Sequence, residues 1–309
     1  MASVPLAQDT GHADTVHDVQ LDYYGRKLAT ASSDRTIRVF DVTGDQLAPV
    51  TTLQGHEGPV WQVSWSHPKF GNLLASCSFD NRVMIWKEQQ DGSWLQVYTS
   101  DSSLHSASVN SVAFAPHELG LRVAAASSDG SASVLTYNST EGKWNQQKVE
   151  AHSVGCTAVS WSPAAPPGSL VSGKPPAHPI ARFATAGCDK TVRIWQLDDS
   201  KRQWLQQGEP LGGHTDWVRD VAWAPNLGMP MNTIASAGQD GKVIIWTEQS
   251  GKWNKLLLHE FGQAVWKLSW SVTGGILAVS DSKGVHLTLQ APPGCALLCG
   301  QEQYLFMYL

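Results

Sequence analysis

One six-residue phrase, V-x-x-V-x-W, returns six times along the chain, and this recurrence limits the fold more than any other feature. The copies are Val16–Leu21, Val60–Trp65, Val109–Phe114, Cys156–Trp161, Val218–Trp223 and Val265–Trp270. A His stands a few residues before each, at His12, His56, His105, His152, His214 and His259. A second strand-type phrase follows and ends in Asp in five copies, at Asp34, Asp80, Asp129, Asp189 and Asp240. A third phrase ends six residues after the Asp, at Phe40, Trp86, Leu135, Trp195 and Trp246. A turn and often another Trp come next, at Trp94, Trp144, Trp204 and Trp253. All 14 Trp residues fall in or beside this frame.

Each copy therefore reads as four short strands rich in β-branched and aromatic residues, separated by Gly, Asp and Ser turns. No stretch has a convincing helical period. The Asp-to-Asp spacing of about 41 to 60 residues is that of a propeller blade. The expectation is an all-β, six-bladed WD-repeat β-propeller. A Pro/Gly-rich loop, Pro163–Pro179, is inserted between the first and second strands of copy four. Neither a linker nor a shift in composition marks a second domain. One domain is expected over residues 1–309, with repeats over about 11–290 and an atypical tail over 291–309.

The net charge of −5 is scattered, which argues against a nucleic-acid surface held by bulk electrostatics. The N-terminal segment lacks a basic-then-apolar signal, and no apolar run is long enough to span a bilayer. A cytosolic or nuclear chain is expected. The five Cys residues lack metal or disulfide-framework spacing, so reduced thiols are the default.

Four residue types recur together: His56, Ser76, Asp80 and Trp86; His152, Thr185, Asp189 and Trp195; His214, Ser236, Asp240 and Trp246. Copy one holds His12, Thr30 and Asp34 with Phe40 at the Trp position. Ser, His and Asp together suggest a hydrolase. Repetition argues otherwise, because an active site is built once, and no nucleophile elbow is present. A neutral imidazole can instead bridge a turn carboxylate and a strand hydroxyl, with the hydroxyl accepting an indole N–H. We expect structural tetrads and no catalytic, metal or cofactor site. Copy three has Ala125 and Leu135, so its network is expected to be incomplete. Copy six has His259, then Val279 where Ser belongs and Lys283 at the Asp count; Thr288 or Leu289 stands where Trp should be.

The second position of the phrase varies while its flanks stay apolar: His17, Trp61, Asn110, Thr157, Arg219 and Trp266. In a propeller such residues lie near the channel mouth, where they either fill the channel or meet a partner. His17, Trp61, Trp217, Arg219 and Trp266 are the candidate partner-binding set. A ring also needs its first and last blades to meet. Only 11 residues precede His12, enough for one short strand at most. An open ring would expose an apolar face and unpaired edges, which strands added by a partner could cover.

The phrases GHEGPVWQVSW, SVNSVAFAPHELGL, DWVRDVAWAPNLG and QDGKVIIW, with RFA and GCD between them, resemble the Sec-thirteen family, the small WD-repeat subunit of the outer COPII coat. The resemblance runs collinearly from about His12 to Ser280. It implies an open six-bladed propeller into which a larger α-solenoid subunit inserts a seventh blade between blades one and six. It also implies a peripheral place on COPII vesicles and the cytoplasmic face of the endoplasmic reticulum. Further places are the Y-shaped scaffold of the nuclear pore at the nuclear envelope and a lysosomal or vacuolar complex in nutrient signalling. Neither catalysis nor a cofactor is implied, and no direct contact with nucleic acid. The competing expectation is a closed WD adaptor that reads a peptide at the channel mouth. After Ser280 the chain departs from the family pattern, at one wall of the expected slot.

Overall fold

In the computed structural model, which describes residues 8–167, 179–226, 231–284 and 286–290, each repeat becomes one antiparallel sheet, or blade. Blade one is β1 (Val16–Leu21), β2 (Lys27–Ser32), β3 (Thr36–Thr43) and β4 (Gln46–Gln54). Blade two is β5 (Val60–Trp65), β6 (Leu73–Ser78), β7 (Val83–Glu88) and β8 (Trp94–Thr99). Blade three is β9 (Val109–Phe114), β10 (Arg122–Ser127), β11 (Ser131–Asn138) and β12 (Lys143–Glu150). Blade four is β13 (Cys156–Trp161), β14 (Arg182–Gly187), β15 (Thr191–Asp198) and β16 (Gln203–Gln206), with β17 (Leu211–Gly212) also paired to β15. Blade five is β18 (Val218–Trp223), β19 (Thr233–Gly238), β20 (Lys242–Gln249) and β21 (Lys252–Glu260). Blade six has three strands among the described residues: β22 (Val265–Trp270), β23 (Ile276–Asp281) and β24 (His286–Gln290). The tail over 291–309 and most of the Pro163–Pro179 insertion lie outside the described residues.

The chain forms two compact units, with the first ending at Val149 within β12 and the second starting at Glu150. Blades one to three belong to the first unit and blades four to six to the second.

Each second-to-third strand connection is the same tight turn. The residue after the repeat's Asp position has positive φ in every blade: Arg35, Asn81, Gly130, Lys190, Gly241 and Gly284. Its N–H donates to the last residue of the second strand, as Arg35 does to Ser32 and Gly284 to Asp281. A single left-handed residue lets a three-residue loop reverse a twisted hairpin. Only Gly takes that conformation without steric penalty. At Gly241 a Cβ would also lie 2.7 Å from the Gln263 carbonyl oxygen, so this turn has no room for a side chain.

Both faces of the middle strands are buried, which is why phrases such as LASCS and IASAG are continuously apolar or small. The two faces are unlike. Ala29, Ala31, Ile37 and Val39 of blade one pack against Val60, Val63, Leu74 and Trp86 of blade two. In the second unit Ala235, Ala237, Val243 and Ile245 of blade five meet Val265, Leu268, Leu277 and Val279 of blade six. A small face against a large one fills the space between sheets without voids. Each fully buried Leu or Ile contributes roughly 1.5–3 kcal/mol.

Directional bonds fix this stacking. The third residue of the first strand reaches the next blade: Asp18 accepts the Val63 N–H at 3.1 Å, Gln62 accepts the Val112 N–H at 2.9 Å, and Asp220 accepts the Leu268 N–H at 2.8 Å. The sixth residue reaches back: Trp65 donates its indole N–H to Gln20 and Trp270 to Ala222, both to carbonyl oxygens. The thiols of Cys77 and Cys156 are buried and that of Cys188 is half-buried, and none forms a disulfide.

Candidate interaction surfaces

The tetrads close as bonded chains. His56 lies 2.8 Å from Asp80 through Nδ1 and 2.8 Å from Ser76 through Nε2, while Trp86 donates its indole N–H to Ser76 at 2.9 Å. His214 repeats this with Asp240 at 3.0 Å, Ser236 at 2.8 Å and Trp246 on Ser236 at 2.9 Å. His152 does so with Asp189 at 2.8 Å, Thr185 at 2.9 Å and Trp195 on Thr185 at 3.1 Å. His12 bridges Asp34 at 2.8 Å and Thr30 at 2.7 Å, with Phe40 leaving the indole donor out.

The proton order follows from donor capacity. An indole N–H only donates, so the hydroxyl accepts it and gives its own proton to Nε2. Nδ1–H then faces the carboxylate. Ser76, Ser236 and Thr185 are fully buried. Each hydroxyl is committed on both sides and out of reach of any substrate, so the arrangement stabilises turns and has no free nucleophile.

The carboxylate joins two loops. Asp80 also accepts the N–H of Glu57, in the loop before β5, and of Arg82, in the turn after β6. Burial pushes such carboxyls up, but the donors outweigh it. Thr36, His12 and the backbone of Ala13 hold Asp34 well below the usual carboxylate range. Burial lowers His214, partly opposed by Asp240.

Blades three and six depart from the pattern of the other four. In blade three Ala125 removes the second-strand hydroxyl and Leu135 the indole, so the tetrad is incomplete as expected, but the imidazole finds other hydroxyls. His105 Nε2 meets the Ser133 hydroxyl at 2.8 Å and Nδ1 meets Ser131 at 3.1 Å. Asp129 stands 3.7 Å from Nδ1. In blade six His259 is not the equivalent residue. It lies within β21, exposed, with its ring against Phe261 at 4.6 Å. In the other blades the His precedes the first strand by four residues, and that place before Val265 is Phe261. Pairing of Leu277 with Leu289 puts Leu289 at the Trp position, as Ile234 pairs with Trp246 in blade five. Blade six thus replaces the whole tetrad with Phe261, Val279, Lys283 and Leu289.

The rim candidates fall into two groups. In the first unit His17 and Trp61 touch edge to face at 4.6 Å, and Trp61 donates to Ser108 at 2.9 Å. In the second unit the Arg219 guanidinium lies 5.1 Å from the Trp217 ring and 4.5 Å from the Trp266 ring. Trp217 and Trp266 are 44% and 47% exposed. Sequence reasoning also missed a stacked pair, His67 and His117, at 4.0 Å, with Tyr23 against His67 at 4.8 Å. No repeat position marks these loop residues.

Two faces stand out by exposure. In blade one the face that in other blades packs backward carries Val16 and Val19, both half-buried, and Leu21, which is 55% exposed. The corresponding Val60, Val63, Val218 and Val221 are buried. In blade six the forward face carries Lys267 and Ser269, both exposed, and Ile276, 42% exposed. The corresponding Asp220 and Thr233 of blade five are buried. Among the described residues no group of three or more His, Cys, Asp or Glu could hold a metal, and no helix is long and apolar enough to cross a membrane.

Comparison with known proteins adds the family. The WD domain, G-beta repeat family matches residues 3–41, 47–87, 144–196 and 206–247, more than half of the chain. The third strands of blades three and six, which carry Leu135 and Leu289 at the Trp position, lie outside those matches. The chain is 45% identical to "Protein transport protein SEC13" of Mycosarcoma maydis, over 92% of this chain and 90% of that protein. It is 47% identical to "Protein transport protein sec13" of Emericella nidulans, over 91% and 92%. It is also 47% identical to "Protein SEC13 homolog" of Drosophila melanogaster, over 91% and 78%.

Proposed function

The chain belongs to the SEC13 family of WD-repeat proteins, and from that premise we propose that it is a non-catalytic scaffold subunit of protein transport. Its place is the outer COPII coat, on vesicles leaving the endoplasmic reticulum, peripheral to the cytoplasmic side of that membrane. The relatives' names support transport. The six blades act in this reading as one domain over residues 1–309.

One observation carries the partner assignment. The backward face of blade one leaves Val16 and Val19 half-buried where the other five blades bury the equivalent residues, with Leu21 exposed beside them, and the forward face of blade six exposes Ile276 where blade five buries Thr233. Exposed apolar sheet faces call for a cover. The α-solenoid subunit of the coat supplies it as strands of a seventh blade, by strand addition. The same use extends to the solenoid counterpart in the nuclear pore scaffold at the nuclear envelope, and to a lysosomal or vacuolar nutrient-signalling complex.

The test is co-expression of the full chain with the coat's α-solenoid subunit. Co-elution is expected for the wild type, and its loss for Leu21→Glu and Ile276→Glu. Variants that melt like the wild type and still co-elute would overturn the assignment.

A further inference from the structure

Arg219 is held as a fixed receptor rather than as a surface cation. Its guanidinium sits against both the Trp217 and Trp266 rings, at 5.1 and 4.5 Å. Its Nε–H donates to Gln239 Oε1 at 2.8 Å. Trp266 is anchored in turn, its indole N–H on Ser282 Oγ at 2.9 Å, while that hydroxyl donates to the Ala264 carbonyl at 3.1 Å. The two Nη groups of Arg219 have no protein hydrogen-bond partner among the described residues.

Pairing of Val218 with Gly238 and of Val265 with Asp281 brings Arg219 and Trp266 to the end of the blades that carries the turns after β19 and β23. Half-buried Lys242 follows the first of these turns as the start of β20, exposed Lys283 lies in the second, and the matching turn of blade four holds exposed Lys190. The nearby carboxylates Asp189 and Asp240 are occupied by His152 and His214. Asp216 spends one oxygen on the N–H of Trp217 at 2.8 Å. Charges of both signs therefore surround Arg219, and its two Nη groups are left unpaired there among the described residues.

A guanidinium flanked by two indoles, with both Nη groups unpaired, can take a carboxylate through two parallel N–H···O bonds. The outer surfaces of the two Trp rings suit proline or aromatic side chains. We propose that the rim formed by Trp217, Arg219 and Trp266 binds an acidic linear peptide of a partner protein. A carboxylate sits on Arg219, and flanking proline or aromatic residues lie on the indoles. The site does not depend on insertion of a partner blade. Single-stranded nucleic acid also stacks on Trp, but it needs a basic groove along its backbone, which a chain of net charge −5 with one exposed guanidinium edge does not supply.

The experiment uses the full chain and a fluorescein-labelled peptide of about twelve residues that repeats Asp-Glu-Pro-Phe. Its counterpart repeats Asn-Gln-Pro-Phe, and an oligothymidine of similar length is the third probe. Anisotropy should show the acidic peptide binding at least about tenfold more tightly than the amide peptide or the oligonucleotide. Arg219→Gln and Trp266→Ala should each weaken it about tenfold, and Arg219→Lys should not restore it, because the planar edge is lost. Circular dichroism melts of these exposed-site variants should match the wild type. The proposal is overturned by absence of saturable binding, by equal affinity for acidic and amide peptides, by preference for the oligonucleotide, or by unchanged affinity in a folded Arg219→Gln chain.

Discussion

The Nε2 atom of His105 lies 2.8 Å from the Ser133 hydroxyl, on the third strand of its blade, whereas His56 and His214 find their hydroxyl on the second strand. His105 is completely buried, so this bond cannot be exchanged for one to water. Ser133→Ala should destabilise the chain by about 1–3 kcal/mol, the cost of a buried polar atom left unpaired. Ala125 occupies the place where blades one, two, four and five carry the hydroxyl. The double variant Ser133→Ala, Ala125→Ser should therefore recover part of the loss. Urea unfolding of the two variants decides it; a Ser133→Ala chain as stable as the wild type would show that the bond contributes nothing.

Burial pushes the His105 imidazole down to about 4, despite the raising effect of Asp129. The unfolded chain takes up that proton near pH 6.5, the folded chain only near 4. Between these values the unfolded state binds more protons, so stability falls as pH drops from 6.5 to 4 and is fully present above 6.5. The loss attributable to this residue is on the order of 3 kcal/mol. Asp129 acts in a lower window. Hydrogen bonds from Ser131 and Ser106 outweigh burial and hold its carboxyl far below its ordinary value. Its contribution is present above pH 3.8 and is lost on further acidification. Melting curves at closely spaced pH values, with NMR titration of the imidazole, check both windows. An imidazole that charges near pH 6.5 while the chain stays folded would contradict the first.

The buried carboxylate of Asp220 accepts the Leu268 N–H across the join between blades five and six. Asp220→Ala leaves that N–H buried without this acceptor, and about 1–3 kcal/mol of stability should go with it. The defect should be local. Hydrogen exchange at Leu268 and along β22 should quicken before exchange in β18 or β19, because blade six has no later blade of its own unit to hold it. Uniform quickening across the second unit would show that the blades separate only on global unfolding.

Blade boundaries were legible because the repeat is written in residues with fixed local roles. The Asp position, the left-handed residue after it and the β-branched strands recur at constant spacing, so all six sheets fall where the phrase places them. The tetrads of blades one, two, four and five were legible for the same reason. Ser133 was not, because register decides which hydroxyl faces an imidazole, and register is set by pairing rather than by one strand's residues. His259 lies near the expected place, but the four-residue interval before the first strand, constant in the other five blades, singles out Phe261. Arg219 and Trp266 stand at the variable position and Trp217 just before its phrase, but the ring contacts that join them needed coordinates. The unequal burial of Val19, half-buried, and Val63, buried, could not be read from two nearly identical phrases.

Hydrogen exchange of the full chain, alone and bound to the α-solenoid subunit of the coat, tests the scaffold account most directly. Added strands would cover the exposed faces of the end blades, so Val16–Leu21 of β1 and Ile276–Asp281 of β23 should exchange far more slowly in the complex. The outer strands β8 and β12 should be unaffected. Protection confined to those outer strands, with β1 and β23 unchanged, would contradict the account.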